Sequence, residues 1–453
     1  MTFIGYPIAT GVIGGAISKP SINNCANSVT YGENVAWTNG NVHFCTYNKL
    51  VGGYYQIFVA FSLDNGTTWT EEQVTTDNYH KYGSSCCMDI YGTGVHLVFS
   101  ALGRLNSIYT KAMMYNFRTF VTATTGTWGV EQYVEKSGWN VNHPAHTDFR
   151  WENCDAPSIA IDASDNVHCA FERYDTFNTF TRRSWQCVMY QKRDAVSGNW
   201  GEKVTLRYKN GGIRPILKIP NLQTDFYGNP HIVCTINKPL ASWGSDTHTT
   251  CWIANDMQGD KLGWPGSYDA YYSYYIGTFP TDDMCQLLYD TPTASAGAVS
   301  NYPRLALSHI YCDEIAGYDY PHAVYMVIYP GSPIGPYYKY KDSIGWHTEA
   351  ITTGGPTINS PSIALAPNGL IHTVVPDESV GAKYDHRTKV TPDASWSVTK
   401  EIEGLLYPRQ EHQRYPVQYP MDDMACSPFI AVTGSTLTYY KCADESDDYG
   451  YFM

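Results

Sequence analysis

Apolar residues in this chain come in short runs, cut roughly every 8–12 residues by Gly, Pro, Asn or Asp. No 3.6-residue period is sustained over ten residues, so the pattern predicts strands throughout. One arrangement recurs: a Pro-led apolar pentad, a tight turn, then a second apolar run carrying a histidine. It reads PSIAID at 157–162 with NVHCAF at 166–171, and PSIALA at 361–366 with LIHTVV at 370–375. Pro220 to Asp225 with His231 keeps the six-residue step that separates Asp162 from His168. Pro303 with His322 carries a longer insert in the turn, and Asp89 with His96 lacks the proline. His43 begins the series, and Pro428 closes it with Leu437 where a histidine is expected. Recurrence of this kind sets architecture before any site chemistry is considered.

Each unit has a second half. An aromatic run such as Trp185 to Gln191 is followed by a Gly/Trp turn such as Gly198 to Trp200, then by a short strand such as Lys203 to Leu206. Four strands per unit, repeated every 50 to 90 residues or so, is the pattern of a propeller blade. Several strands are apolar on both faces, which suits sheets stacked between neighbours. The expectation is an all-β chain: a seven-bladed β-propeller of four-stranded antiparallel blades, with six blades as the alternative count. Residues 1–29 form an N-terminal segment that contributes a closing strand to the last blade, and residues 30–453 form the propeller. Closing the ring with strands from both ends removes two exposed edges.

The first unit carries the sharpest local motif, Ser62, Asp64, Gly66, Thr68 and Trp69 in the spacing S-x-D-x-G-x-T-W. The Asp can accept backbone N–H bonds across a turn, Gly supplies positive φ, and Trp packs beneath the loop. Here the chain resembles the Asp-box, or BNR-repeat, sialidase-like propellers. Trp128, Trp200, Trp346 and Trp396 look like degenerate versions of the same turn. The resemblance implies an Arg-Ile-Pro segment, two further clamp arginines, an Asp acid/base and a Tyr/Glu nucleophile pair. Residue by residue these are not found: Ile213, Arg214 and Pro215 stand in the wrong order, and no spacing picks out Arg304, Arg409 and Arg414 or Glu152, Asp155 and Glu172.

Composition narrows the partners. A net charge of -13 argues against a phosphate-backbone partner, so no nucleic acid is expected. The start of the chain lacks a basic, apolar signal-peptide pattern, and no 18-residue apolar run suggests a membrane span. Tyrosine is abundant, at 38 of 453 residues, and Lys and Arg are scarce, as in secreted lectins and viral surface proteins. A virion protein, acting outside the cell after release, reconciles that composition with the absent export pattern. The 13 cysteines are scattered without a C-x-x-C spacing, which predicts mostly reduced, structural thiols and neither a zinc nor a redox motif.

Six histidines, His43, His96, His168, His231, His322 and His372, occupy one equivalent position. Around a ring they stand too far apart to share a metal, so each is expected to pack between blades and bond a neighbouring backbone group. His143 and His146 lack an acidic third ligand, and no metal or cofactor is expected. In a propeller, the blade-to-blade connections and the loops between second and third strands share one face. That face collects residues 77–81, 137–155, 173–183, 301–304 and 407–415, rich in Trp, Tyr, Arg and carboxylates. Such a mixture suits glycan binding or a protein interface, with Trp151, Asp155, Arg304, Arg409 and Arg414 as the candidate ligand-binding residues. The functional expectation is a non-catalytic propeller, a structural, adaptor or receptor/glycan-binding component of a virus or phage particle, with other chains of an assembly or glycan as partners. The alternative is a carbohydrate-active enzyme, a sialidase-like glycoside hydrolase or polysaccharide lyase with a divergent site.

Overall fold

The computed structural model describes residues 36–39, 42–62, 69–89, 94–102, 111–120, 126–135, 150–177, 185–201, 204–206, 216–239, 246–254, 285–289, 299–315, 317–328, 335–352, 361–365, 369–376, 383–403, 426–433 and 436–443. Among the described residues every regular element is a strand, and no helix is long and apolar enough to cross a membrane.

The described strands fall into seven antiparallel groups in chain order. The first is β1 (Ala36–Asn39), β2 (Val42–Val51), β3 (Tyr54–Ser62) and β4 (Thr70–Gln73). The second is β5 (Lys81–Met88), β6 (Gly94–Leu102) and β7 (Lys111–Phe120), with β8 (Gly126–Trp128) and β9 (Gln132–Glu135) both on β7. Next come β10 (Arg150–Ile161), β11 (Val167–Phe177), β12 (Trp185–Arg193) and β13 (Val204–Leu206), then β14 (Ile216–Thr224), β15 (Pro230–Pro239), β16 (Asp246–Ala254) and β17 (Cys285–Tyr289). The fifth group begins with β18 (Val299–Ala306), detours through the small hairpin β19 (Cys312–Asp313) and β20 (Tyr318–Asp319), and continues as β21 (His322–Ile328), β22 (Gly335–Lys341) and β23 (Trp346–Ala350). The sixth is β24 (Ser362–Leu365), β25 (Ile371–Pro376), β26 (Lys383–Lys389) and β27 (Ser397–Glu403); the last is the hairpin β28 (Cys426–Thr433) and β29 (Thr436–Ala443). Single parallel bridges, Asn153 to Lys111 and His248 to Val299, join the second group to the third and the fourth to the fifth.

The Pro-led pentads are the first strands of their groups, and the histidine runs are the second strands. The register breaks within the first strands between Tyr82 and Ser84, Asp155 and Ser158, Lys218 and Asn221, and Asn301 and Arg304. Three of these bulges contain Pro157, Pro220 or Pro303. A proline cannot donate to a ladder, and a bulge is where a sheet tolerates that loss.

First strands lie against one another in sequence: β5 against β10, β10 against β14, β14 against β18, β18 against β24, and β28 against β1. A repeated hydrogen bond joins three of these seams. Ile159 N–H donates to Ser85 Oγ (3.2 Å), Leu222 N–H to Ser158 Oγ (3.0 Å) and Leu305 N–H to Asn221 Oδ1 (2.7 Å). All six residues are buried, so each bond satisfies an outward-facing amide that water does not reach. The largest apolar cluster spans the first three groups, from Ile57 and Phe61 through Leu97 and Met114 to Phe171 and Met189. Residues 1–29, assigned from sequence to a closing strand, lie outside the described residues.

Candidate functional site

Gly52 and Gly53 take φ of 59° and 88°, a left-handed pair that reverses the chain between β2 and β3 and delivers Tyr54 and Tyr55. The connection from β4 to β5 is held down from the same side. Gln56 Nε2 donates to the carbonyls of Asp77 (2.8 Å) and Tyr79 (3.2 Å), while Thr75 Oγ1 donates to Gln56 Oε1 (2.7 Å). Lys81, buried on β5, pairs with Asp77 and donates to Tyr79 O at 3.0 Å. These bonds fix His80, whose carbonyl also accepts from Leu102 N–H at 2.8 Å.

Four rings meet there, all half-buried. The His80 ring centre lies 5.4 Å from Tyr54, 5.6 Å from Tyr55 and 6.0 Å from Tyr82, stacked on the last at 25°. Tyr55 N–H donates to His80 Nδ1 (3.2 Å), which leaves Nε2 as the protonated nitrogen of the neutral ring. Burial first, then Tyr55 and Asp155, push the Tyr82 phenol above its ordinary value, so it keeps its proton at neutral pH. Tyr82 stands at the bulge of β5, and Asp155 at the bulge of β10. Asp155 Oδ1 accepts from Ser100 Oγ (3.0 Å) and from Ala156 N–H (3.1 Å), with Ala156 at φ 46°. The cluster therefore uses a second-to-third-strand turn, a group-to-group connection and two first-strand bulges, all on the face that the sequence assigned to connecting loops. Chemically it offers two proton donors, an imidazole N–H and a phenol, beside aromatic faces able to stack on a sugar.

The sequence-derived residues fare unequally. Asp155 joins this cluster, and it faces Glu172 directly across the β10–β11 ladder. These two carboxyls are only 1% and 2% exposed. Trp151 lies on β10 opposite Thr176. Arg304, just past the β18 bulge, is 2% exposed and donates to its neighbour's carbonyl, Pro303 O, at 3.3 Å, so its guanidinium is enclosed in the sheet seam. Arg409 and Arg414 lie outside the described residues. So do Asp64, Gly66 and Thr68; Ser62 ends β3, and Trp69 is half-buried before β4.

The repeated histidines were expected to bond backbone groups; His96, His168, His231, His322 and His372 instead meet side chains. His96 Nδ1 shares a hydrogen bond with Tyr115 (2.8 Å), His168 with Tyr190 (2.7 Å) and His322 with Tyr338 (2.6 Å), each tyrosine on the third strand of the same group. His372 Nδ1 meets His386 Nε2 at 3.2 Å. The six-residue Asp-to-His step is a contact: His168 Nε2 lies 3.1 Å from Asp162 and His231 Nε2 lies 3.2 Å from Asp225. His43, on β2, pairs in register with Thr38 and Ser62. Trp200 sits edge-on to Tyr115 of the preceding group at 5.4 Å, and Trp396 does the same to Tyr338 at 5.3 Å. Those two turns therefore share a role across the chain.

His80 was not singled out from sequence, although its segment was assigned to the loop-rich face. Its signal is that it falls outside the repeat register, in a connection where no packing rule calls for an imidazole.

No protein-family model and no curated protein sequence matches the chain. Among solved structures it is similar to a polysaccharide lyase of family PL25, an ulvan lyase bound to -[GlcA(1-4)Rha3S]-, with TM-score 0.56 and 9% identity over 95% of this chain and 96% of that one. It is also similar to the GH93 α-L-arabinofuranosidase of Fusarium graminearum, with TM-score 0.47 and 11% identity over 95% and 98% of the two chains. A Hadza microbial sialidase matches with TM-score 0.46 and 9% identity over 87% of this chain and 74% of its own. The ulvan lyase has a propeller-type fold, and the fold of this chain is of that type. The expectation of a non-catalytic component of a phage or virus particle is corrected here: a likeness with TM-score 0.56 is to a polysaccharide lyase, and it runs nearly the full length of both chains.

Proposed function

We propose that this chain is a carbohydrate-active enzyme, a polysaccharide lyase in preference to a glycoside hydrolase, with glycan as its partner. The observation that carries this reading is the bond from Tyr55 N–H to His80 Nδ1, which commits the imidazole to its Nε2–H form beside the protonated Tyr82 phenol. Eliminative cleavage removes the proton next to a uronate carboxylate and breaks the C–O bond β to that carboxylate. The leaving oxygen must then receive a proton. Tyr82 balances both transfers, giving its O–H proton to the leaving oxygen and taking up the proton removed beside the carboxylate, while His80 Nε2–H bonds the charge that develops on that carboxylate, and Tyr54 and Tyr55 give the sugar an aromatic surface. Hydrolysis would instead draw on two carboxyls open to the scissile bond. Asp155 and Glu172 are paired across the ladder, yet their burial favours the lyase reading.

The scaffold of this proposal is a seven-bladed ring of residues 30–453. Its support is seven antiparallel groups with first strands side by side and β28 against β1.

The test is incubation of the purified chain with a panel of uronate-containing and neutral polysaccharides. A lyase generates an unsaturated, ultraviolet-absorbing sugar end; a hydrolase generates reducing ends without that absorbance. His80→Ala and Tyr82→Phe are each expected to lower turnover by about 10²–10⁴. Cleavage without absorbance would replace lyase by hydrolase, and full activity in His80→Ala would remove this cluster from the chemistry.

A further inference from the structure

We infer that the insert between β18 and β21 is a binding site for a divalent transition metal, zinc by its donor set, held by His309, Cys312 and Asp319. One donor atom of each, imidazole nitrogen, thiol sulfur and carboxylate oxygen, lies within 4.8 Å of the others. The backbone explains their convergence. Cys312 and Asp319 are direct cross-strand partners in the β19–β20 hairpin, which places both side chains on one face of it. His309 precedes them in a turn closed by Tyr311 N–H to Ser308 O (2.9 Å).

The surroundings orient these groups as an outer shell orients metal ligands. Phe226 N–H donates to Asp319 Oδ2 (2.9 Å), leaving Oδ1 to His309 Nδ1 at 3.0 Å. The His309 ring is stacked on Phe226 at 4.0 Å and meets Tyr227 edge-on at 5.6 Å, both on the β14–β15 turn. Asn229 Nδ2 reaches across to Gly317 O at 2.9 Å. Burial first, then the neighbouring carboxylates of Asp319, Glu314 and Asp313, raises the Cys312 thiol; burial first, with Asp225 adding to it, raises Asp319.

A tetrahedral zinc site with one sulfur, one nitrogen and one oxygen needs donors about 3.3–3.6 Å apart. His309 Nδ1 and Asp319 Oδ1, at 3.0 Å, are already near that spacing, and Cys312 is half-exposed, so its sulfur has room to close in. On binding, the thiol proton is released and the imidazole proton moves from Nδ1 to Nε2. The thiolate and carboxylate then balance the charge of the ion, and solvent completes the fourth position. Mixed sulfur and nitrogen donors select zinc over magnesium or calcium.

This site is separate from the His80 cluster. It belongs to a first-to-second-strand connection, at the opposite end of the strands from the second-to-third-strand turn that carries Tyr54. Its place gives it a structural consequence: the insert touches the fourth group through Phe226 and Asn229 and the sixth through Tyr311, whose hydroxyl donates to Gly369 O at 2.8 Å. Zinc would pin a strap across three neighbouring groups.

The experiment is titration of the chelator-treated full chain with zinc against a competing chromogenic chelator, and with cobalt(II) followed by absorbance. The expected result is one equivalent of zinc per chain, a thiolate-to-cobalt charge-transfer band, and a rise in Tm on metal addition. Cys312→Ser, close in size and different only in its donor atom, should abolish the cobalt band and weaken zinc at least tenfold while leaving the metal-free Tm unchanged. His309→Ala should weaken zinc to a similar extent. Absence of stoichiometric binding by the unmodified chain, or the same affinity in Cys312→Ser, would overturn the assignment.

Discussion

Asn221 Oδ1 accepts the amide proton of Leu305 at 2.7 Å, so a side chain of one first strand satisfies the backbone of the next. Both residues are buried, and this bond repeats the links from Ser158 to Leu222 and from Ser85 to Ile159. Replacing Asn221 with Leu strands a buried N–H, which costs about 1–3 kcal/mol. A urea titration should show a lowered midpoint with an unchanged slope. An unaltered midpoint would mean that the seam bond contributes nothing net.

Acid should weaken the chain well above the carboxylate range. Burial, with Arg193 nearby, lowers His96 to about 3, and burial with Lys389 nearby lowers His322 to about 3. The unfolded chain protonates each histidine below about 6.5, so it binds more protons than the folded chain between pH 6.5 and 3. Stability is therefore full above pH 6.5 and falls as pH drops, by about 1.4 kcal/mol per pH unit for each histidine. Asp162, held low by His168, Asn166 and Lys192 despite its burial, adds its own loss only below the ordinary carboxylate range. Unfolding free energies between pH 7.5 and 4.5 read this slope, and His322→Phe should flatten it.

Lys389 has a fully buried side chain and reaches Glu349, while Trp396 Nε1 donates to the same Glu349 oxygen at 2.7 Å. The ammonium lies 5.1 Å from the Tyr338 ring centre and 5.2 Å from that of Trp396. Glu349→Ala leaves a buried charge with the Pro392 carbonyl at 2.5 Å as its remaining acceptor. The expected loss is about 2–3 kcal/mol, below that of a fully enclosed pair because Glu349 is 39% exposed. Lys49→Ala, which removes the exposed pair with Glu71, should cost under about 1 kcal/mol. Equal losses in calorimetry would refute the distinction.

Gly94 cannot carry a side chain without rearrangement. A Cβ there would stand 2.2 Å from Phe117 Cζ and 2.8 Å from the Arg118 carbonyl oxygen, and the second of these is backbone. Gly94→Ala should lower stability by about 3 kcal/mol or more, through overpacking of the β6–β7 ladder. Thermal denaturation of the variant is the check, and a Tm within a degree or so of the parent would contradict the geometry.

The chain's local order was legible because a strand and its turn are written in adjacent residues. Pro157, Pro220 and Pro303 mark first strands, the histidines mark second strands, and the step from Asp162 to His168 is short enough that one tight turn brings them together. The same reading assigned residues 77–81 to the loop-rich face, where His80 is found, and recognised a common turn at Trp200 and Trp396. It chose backbone partners for the histidines because period-2 alternation does not reveal which side chain on the third strand stands opposite. Tyr115, Tyr190 and Tyr338 follow their histidines by different numbers of residues, since hairpin lengths differ.

Sequence alone determined the β class and the repeating unit. Only the tertiary structure decided that Tyr55, His80, Tyr82 and Asp155 form one cluster, that Arg304 is enclosed in a seam, and that Cys312 meets His309 and Asp319. The reason is physical: periodicity reports the direction of a side chain within its own sheet, whereas these contacts depend on how sheets stack and how loops of unequal length settle on their neighbours.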